Sequence, residues 1–157
     1  MRVTILAVGR LRAGPEADLV ADYLTRFDRT GRPLGLGPAQ VIEVEDRKNG
    51  GPPAEAALLT AALPRGATLA ILDERGDTPD SPGFARQLRR LADDGTRDFA
   101  IAIGGADGLD PGFRTQASLS FSFGRMVWPH MLARVMLTEQ LYRAASILAG
   151  SPYHRGG

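Results

Sequence analysis

The chain has 157 residues, 43% of them hydrophobic and 24% charged, with a formal net charge of +1, the size and make-up of one folded domain spanning residues 1–157. There is no cysteine, which excludes disulfide scaffolds and thiolate metal sites, and the histidines His130 and His154 are too far apart for a helical ligand pair, so no metal is expected. Near-neutral charge excludes capture of nucleic acid by a whole-molecule field, and no apolar run approaches a signal peptide or membrane span, so a cytoplasmic protein is expected.

Residues 3–8 form a continuous apolar run rich in β-branched side chains, the pattern of a strand covered on both faces, and Gly9 ends it. A helix is expected over 15–27, with Leu19, Val20, Tyr23, Leu24 and Phe27 on one face. Residues 30–38 are turn-rich. A second strand covers 41–44, and the glycine-rich basic stretch 47–53 reads as a mobile loop. A short helix over 56–63 and a third strand over 67–72 follow, the strand running into Asp73-Glu-Arg-Gly76.

Ser81 reads as the N-cap of a helix carrying Phe84, Leu88 and Leu91 that stops near Gly95. A fourth buried strand covers 99–103 and a brief helix 110–117. In the fifth strand, 119–123, Leu119, Phe121 and Phe123 alternate with serines. Pro129 suits the first position of a last helix running to about Ala149. Strands alternating with helices predict an α/β protein with a mainly parallel sheet flanked by helices.

The last helix is apolar on two sides. Leu137, Leu141, Ala144 and Leu148 share one stripe, while Met131, Leu132, Val135 and Met136 lie nearly opposite. Such a helix is either deep in one core or pressed against a second copy of the chain. Charge collects in the same region: Arg125, Arg134, Arg143 and Arg155 stand against a single acid, Glu139, giving +3 locally and leaving −2 for the remainder. A phosphate-bearing partner would suit that end.

Several chemistries fail on their motifs. The first strand is followed by Gly9-Arg-Leu-Arg-Ala-Gly14 instead of a dinucleotide fingerprint, the sole lysine, Lys48, is not in a phosphate loop, and no Gly-x-Ser-x-Gly elbow occurs. What survives is Gly104-Gly-Ala-Asp-Gly108 after the fourth strand and Phe123-Gly124 after the fifth. Ligands of open α/β sheets bind beyond the carboxyl ends of strands, and glycine there opens main chain to a flat heterocycle. By spacing alone His130 reads as a capping or packing residue. Tyr153, His154 and Arg155 read either as a frayed end or as a group able to hold a phosphate and a planar base.

At the glycine turns and the tail the chain resembles the bacterial ribosomal RNA large-subunit methyltransferase H family of SPOUT methyltransferases. The resemblance is carried by Ile103-Gly-Gly-Ala-Asp-Gly-Leu109, Leu119-Ser-Phe-Ser-Phe123 with Met126 and Pro129-His130, Arg134-Val135, Glu139-Gln-Leu-Tyr-Arg-Ala144 and Pro152-Tyr-His-Arg155. It spans nearly the whole chain, departing at Val127-Trp128, where relatives more often carry a threonine and a smaller apolar residue. It implies a homodimeric α/β fold with a C-terminal trefoil knot, a rare exception to unknotted topology. It also implies methyl transfer from S-adenosylmethionine to N3 of a pseudouridine in 23S ribosomal RNA, within the large subunit or the 70S ribosome.

Carried over by position, the cofactor pocket comprises Leu72, Gly104 with Gly105, and Phe123, Gly124, Arg125, Met126, Val127 and Trp128. The catalytic or substrate-facing set is His130, Tyr153 and Arg155, with His154 beside them. Two other readings remain: a non-catalytic RNA- or ribosome-binding module on this fold, and an enzyme using a different nucleotide on a flavodoxin-like sheet.

Overall fold

The computed structural model describes residues 1–155; residues 156–157 lie outside the described residues. Five parallel strands form one sheet in the order β2-β1-β4-β3-β5: β1 Arg2–Val8, β2 Ala39–Val44, β3 Thr68–Asp77, β4 Asp98–Ile103 and β5 Leu119–Phe121. Helices α1 Pro15–Gly31, α3 Ser81–Asp93 and α5 His130–Leu148 cover one face, while α2 Pro52–Ala62 and the single turn α4 Pro111–Arg114 cover the other. The middles of the central strands are largely apolar because both faces are covered, with Thr4 the buried polar exception in β1. In β1, Val3 and Ile5 join Phe27, Phe84 and Leu141 on one side, and Leu6 and Val8 join Leu59 and Phe113 on the other.

The elements keep their predicted order and differ at their ends, each time for a local reason. Helix α1 continues four residues past Phe27, because Gly31 lets the chain turn back tightly; a Cβ there would sit 2.8 Å from the carbonyl oxygen of Leu36. The cap of α3 is Asp80, whose carboxylate accepts the N–H of Gly83 at 2.7 Å. Ser81 instead donates to Gln140 Oε1 at 2.8 Å, tying α3 to α5. Pro129 is the residue before the first turn of α5, with extended ψ of 137°, so His130 takes the first helical place. Helix α2 begins at Pro52, inside the stretch expected to be loop.

Strand β3 is longer than expected, running to Asp77 and re-pairing with Phe121 after an irregularity between Leu72 and Asp77. Gly76 makes this possible, since a Cβ on it would fall 2.6 Å from the backbone of Phe121. β5 is correspondingly short, and residues 122–129 leave it to reach α5. Helix α5 packs between α1 and α3, and Gly9 at the end of β1 lies against His130. The segment therefore crosses about 14 Å, three strand spacings, over the carboxyl ends of β3, β4 and β1.

Candidate active site

Beneath that crossing segment lies a cleft of about 930 Å³. Leu72 and Asp73 line it from β3, Gly104, Gly105 and Gly108 from the turn after β4, and Phe123, Gly124 and residues 126–128 from the crossing segment, with His130 at the start of α5. Main chain forms much of the wall. A Cβ on Gly104 would lie 2.8 Å from the carbonyl carbon of Gly108, and Gly105 and Gly108 bridge each other, so the β4 turn folds flat with no side chain filling the cleft. The Ser122 hydroxyl accepts the N–H of Gly124 at 3.0 Å, fixing Gly124 at φ of 109°.

Acids gather around the cleft. Asp73 accepts the N–H of Arg75 at 2.9 Å and pairs with Arg114 at 3.6 Å. The Glu55 carboxyl, beside Gly105, is raised above the usual carboxylate range, first by burial and then by the charges of Asp46 and Asp107. In the cleft itself Asp73, Glu74 and Asp107 stand against Arg75 and Arg114, so its charge is nearly balanced and its main-chain walls suit a flat heterocycle.

The tail lies elsewhere. The Tyr153 hydroxyl donates to Glu139 Oε1 at 2.9 Å, an oxygen that also accepts from Arg143 at 2.6 Å. Tyr153 packs on Tyr142, ring centroids 4.5 Å apart, with the Arg143 guanidinium 4.8 Å from its ring centre. Arg143 Nη1 is 3.2 Å from His154 Nδ1; a guanidinium only donates, so this is a hydrogen bond in the tautomer whose Nδ1 is bare. His154 lines a second cleft of about 690 Å³ between α3 and α5.

Burial pushes the Tyr153 phenol well above its ordinary value, and its bond to Glu139 adds in the same direction. A raised folded-state value means this phenol contributes stability fully below about pH 10, the unfolded value, and loses it as pH rises through the higher folded one. In an absorbance titration at the tyrosinate band, Tyr153→Phe is expected to remove the most alkaline component. An unchanged titration curve would show that Tyr153 is not the buried phenol.

A family model described as "Predicted SPOUT methyltransferase" matches residues 1–154. The chain belongs to the SPOUT methyltransferase family. It is 68% identical over 155 residues, 99% of each chain, to the ribosomal RNA large subunit methyltransferase H of Ruegeria pomeroyi. It is 69% identical, with the same coverage, to the protein of that name from Cereibacter sphaeroides. Among solved structures, a probable methyltransferase from Bordetella pertussis Tohama I superposes with a TM-score of 0.52 at 18% identity, covering 92% of this chain and 96% of that one, a likeness of fold.

Within this SPOUT domain, eight of the nine expected cofactor residues line the main cleft; the exposed Arg125 does not. His130 lines it too. Tyr153 and Arg155 are not among its walls: the hydroxyl of Tyr153 is held at Glu139, nine residues and about 14 Å along α5 from His130. Sequence reasoning passed over Asp73, although an acid just beyond a strand's carboxyl end was a signal for it. No local signal pointed to the pairing of Arg134 with Glu43, 91 positions apart.

Around the crossing segment the SPOUT chain exposes apolar side chains. Val127 is 89% exposed and Met126 76%, and Trp128, Met131 and Leu132 are exposed beside them. A patch of this kind marks a surface that meets another molecule. Among the described residues, no helix is long and apolar enough to cross a membrane, and no cluster of metal-binding side chains occurs.

Proposed function

We propose that this chain is a cytoplasmic, homodimeric methyltransferase that uses S-adenosylmethionine to methylate N3 of a pseudouridine in 23S ribosomal RNA, within the large subunit or the 70S ribosome, and that residues 1–157 fold as one domain. The observation that carries it is the main-chain-walled cleft at the ends of β3, β4 and β5, edged by His130, in a SPOUT chain whose relatives at 68–69% identity bear the name of a large-subunit ribosomal RNA methyltransferase. A C-terminal trefoil knot, as the family resemblance implies, is part of the same proposal.

The walls fit the cofactor. Leu72, Gly104, Gly105, Phe123, Gly124 and residues 126–128 offer N–H and C=O groups and bare Cα surface to an adenosine, with Asp73, Glu74 and Asp107 in reach of a positively charged sulfonium. Bound there, S-adenosylmethionine supplies an electrophilic methyl group, whose transfer to N3 requires the N3 proton to leave. His130 is placed at the edge of the cleft to take that proton. The Tyr153 phenol, held protonated and already donating to Glu139, orients the base through its oxygen lone pairs and ring face. Arg155 anchors an adjacent phosphate or the developing anion. Holding the base in line with the methyl carbon supplies much of the acceleration.

Within one chain the Tyr153 hydroxyl is held at Glu139, about 14 Å along α5 from His130, and a dimer would bring the two together. In the proposed dimer a two-fold axis near Val135 would set position 130 of one copy opposite position 140 of the other, beside that copy's Glu139 and Tyr153. The same packing covers Met131 and Leu132, the second apolar side of the helix. Each cleft is then completed by the tail of the second copy.

Two measurements test the assignment. Calorimetry with S-adenosylmethionine is expected to give one site per chain, with Gly104→Ala weakening it about 10-fold or more, since the added Cβ meets main chain that must move. Mass-spectrometric mapping of 23S RNA from a deletion strain is expected to show one pseudouridine without its methyl group. No heat of binding, or a fully methylated RNA, would refute the reaction.

A further inference from the structure

Arg134 is the largest fully buried side chain in the molecule, and nothing in the chemistry above uses it. Its Nη1 donates to Glu43 Oε2 at 2.7 Å and its Nη2 to the Gly9 carbonyl at 3.1 Å. The same Glu43 oxygen accepts the N–H of Leu11 at 2.5 Å. One carboxylate thus joins the first turns of α5, the end of edge strand β2 and the loop that follows β1. Burying a guanidinium is costly even when paired, and an apolar side chain of similar volume would fill the space at lower cost, so packing alone does not account for the pair.

The loop it holds lies under His130. Arg134 is one helical turn beyond His130 on the same face of α5. Gly9, at φ of 92°, turns its bare Cα toward the imidazole, so that a Cβ there would sit 3.7 Å from His130 Nε2. The Gly9 N–H is fixed to the Val44 carbonyl at 2.8 Å, and its carbonyl to Arg134. The imidazole therefore rests on a peptide held at both ends, one of them by the buried ion pair.

We infer, resting on the assignment of His130 as proton acceptor, that Glu43 and Arg134 are positioning residues for methyl transfer. Their ion pair clamps residues 9–11 under the His130 ring and fixes where its nitrogen meets the N3 proton. Neither side chain touches the nucleobase. Displacing a catalytic group by an ångström is enough to cost one to two orders of magnitude in rate.

The test is a double-mutant cycle on the full dimer, with Glu43→Ala placed in the native and the His130→Ala backgrounds. Glu43 is on an edge strand with its side chain 35% exposed, but its loss leaves the buried Arg134 guanidinium without a carboxylate, so stability is followed for every variant. Single-turnover methylation of ribosomal particles, S-adenosylmethionine affinity and thermal unfolding are measured for each variant. Glu43→Ala is expected to slow methyl transfer about 10-fold, with cofactor affinity within twofold of native, and to have no further effect once His130 is gone. Glu43→Asp, a methylene short of both donors, is the second variant and carries the same expectation should the alanine chain melt below the assay temperature. An equal loss in both backgrounds, or no loss in the native one, overturns the clamp alone. Full activity in His130→Ala by itself overturns the proton-acceptor assignment, and the clamp with it.

Discussion

Replacing His130 with alanine is expected to lower the single-turnover rate of methyl transfer by about 10²–10³-fold, the usual worth of a positioned acid–base group. Cofactor affinity should stay within about twofold, because the imidazole stands at the edge of the cleft while main chain of the β4 turn and crossing segment forms the binding walls. Raising the pH should recover part of the lost rate, since a more alkaline medium removes the N3 proton without help from the side chain. Tyr153 cannot substitute as base: burial and its bond to Glu139 keep the phenol protonated across the neutral range. A variant that lost cofactor affinity in parallel with rate would place His130 in the binding wall and return the proton transfer to another group.

Mixed dimers carry the second large effect. His130→Ala and Arg155→Ala homodimers should each be nearly inactive, with cofactor affinity close to native. Mixed and re-equilibrated at equal amounts, half of the dimers become hybrids, and each hybrid holds one cleft with an intact His130 from one copy and an intact Arg155 from the other. About a quarter of native activity should therefore return. Sites completed within a single chain would give no recovery, because every cleft would then carry one of the two lesions. The contrast is between a quarter and nothing, so stability differences between the variants do not obscure it.

The exposed apolar patch makes a further demand on that dimer. Met126, Val127 and Trp128 belong to the segment that roofs the cleft, and Met131 and Leu132 begin the helix that carries His130. Covering these side chains with a second copy would restrain the crossing segment as well as join the subunits. Cofactor binding and dimerisation should then strengthen each other, because both order the same eight residues, 122–129.

How far the sequence could be read depends on the range over which its signals act. Largely apolar runs placed the first and fourth strands, since a strand covered on both faces is apolar at most successive positions, and alternation of Leu119, Phe121 and Phe123 with serines placed the fifth. Glycines at 104, 105, 108 and 124 marked the cleft, because main chain can be presented to a ligand only where no Cβ intervenes. Helix ends were read less well: Asp80 displaced Ser81 as cap, and α1 ran on to Gly31, through contacts with residues several positions away.

The sequence by itself determined the layered α/β architecture, the glycine turns at the strand ends and the family to which the chain belongs, since each is written in neighbouring residues. Only the tertiary structure decided that the tail is docked on Glu139 at a distance from His130, that Gly76 lies against the backbone of Phe121 on the neighbouring strand, and that Arg134 reaches Glu43 across 91 positions. Those contacts depend on strand order and on where α5 is laid between α1 and α3. Such placements follow from the packing of whole faces against one another, which no local run of side chains encodes.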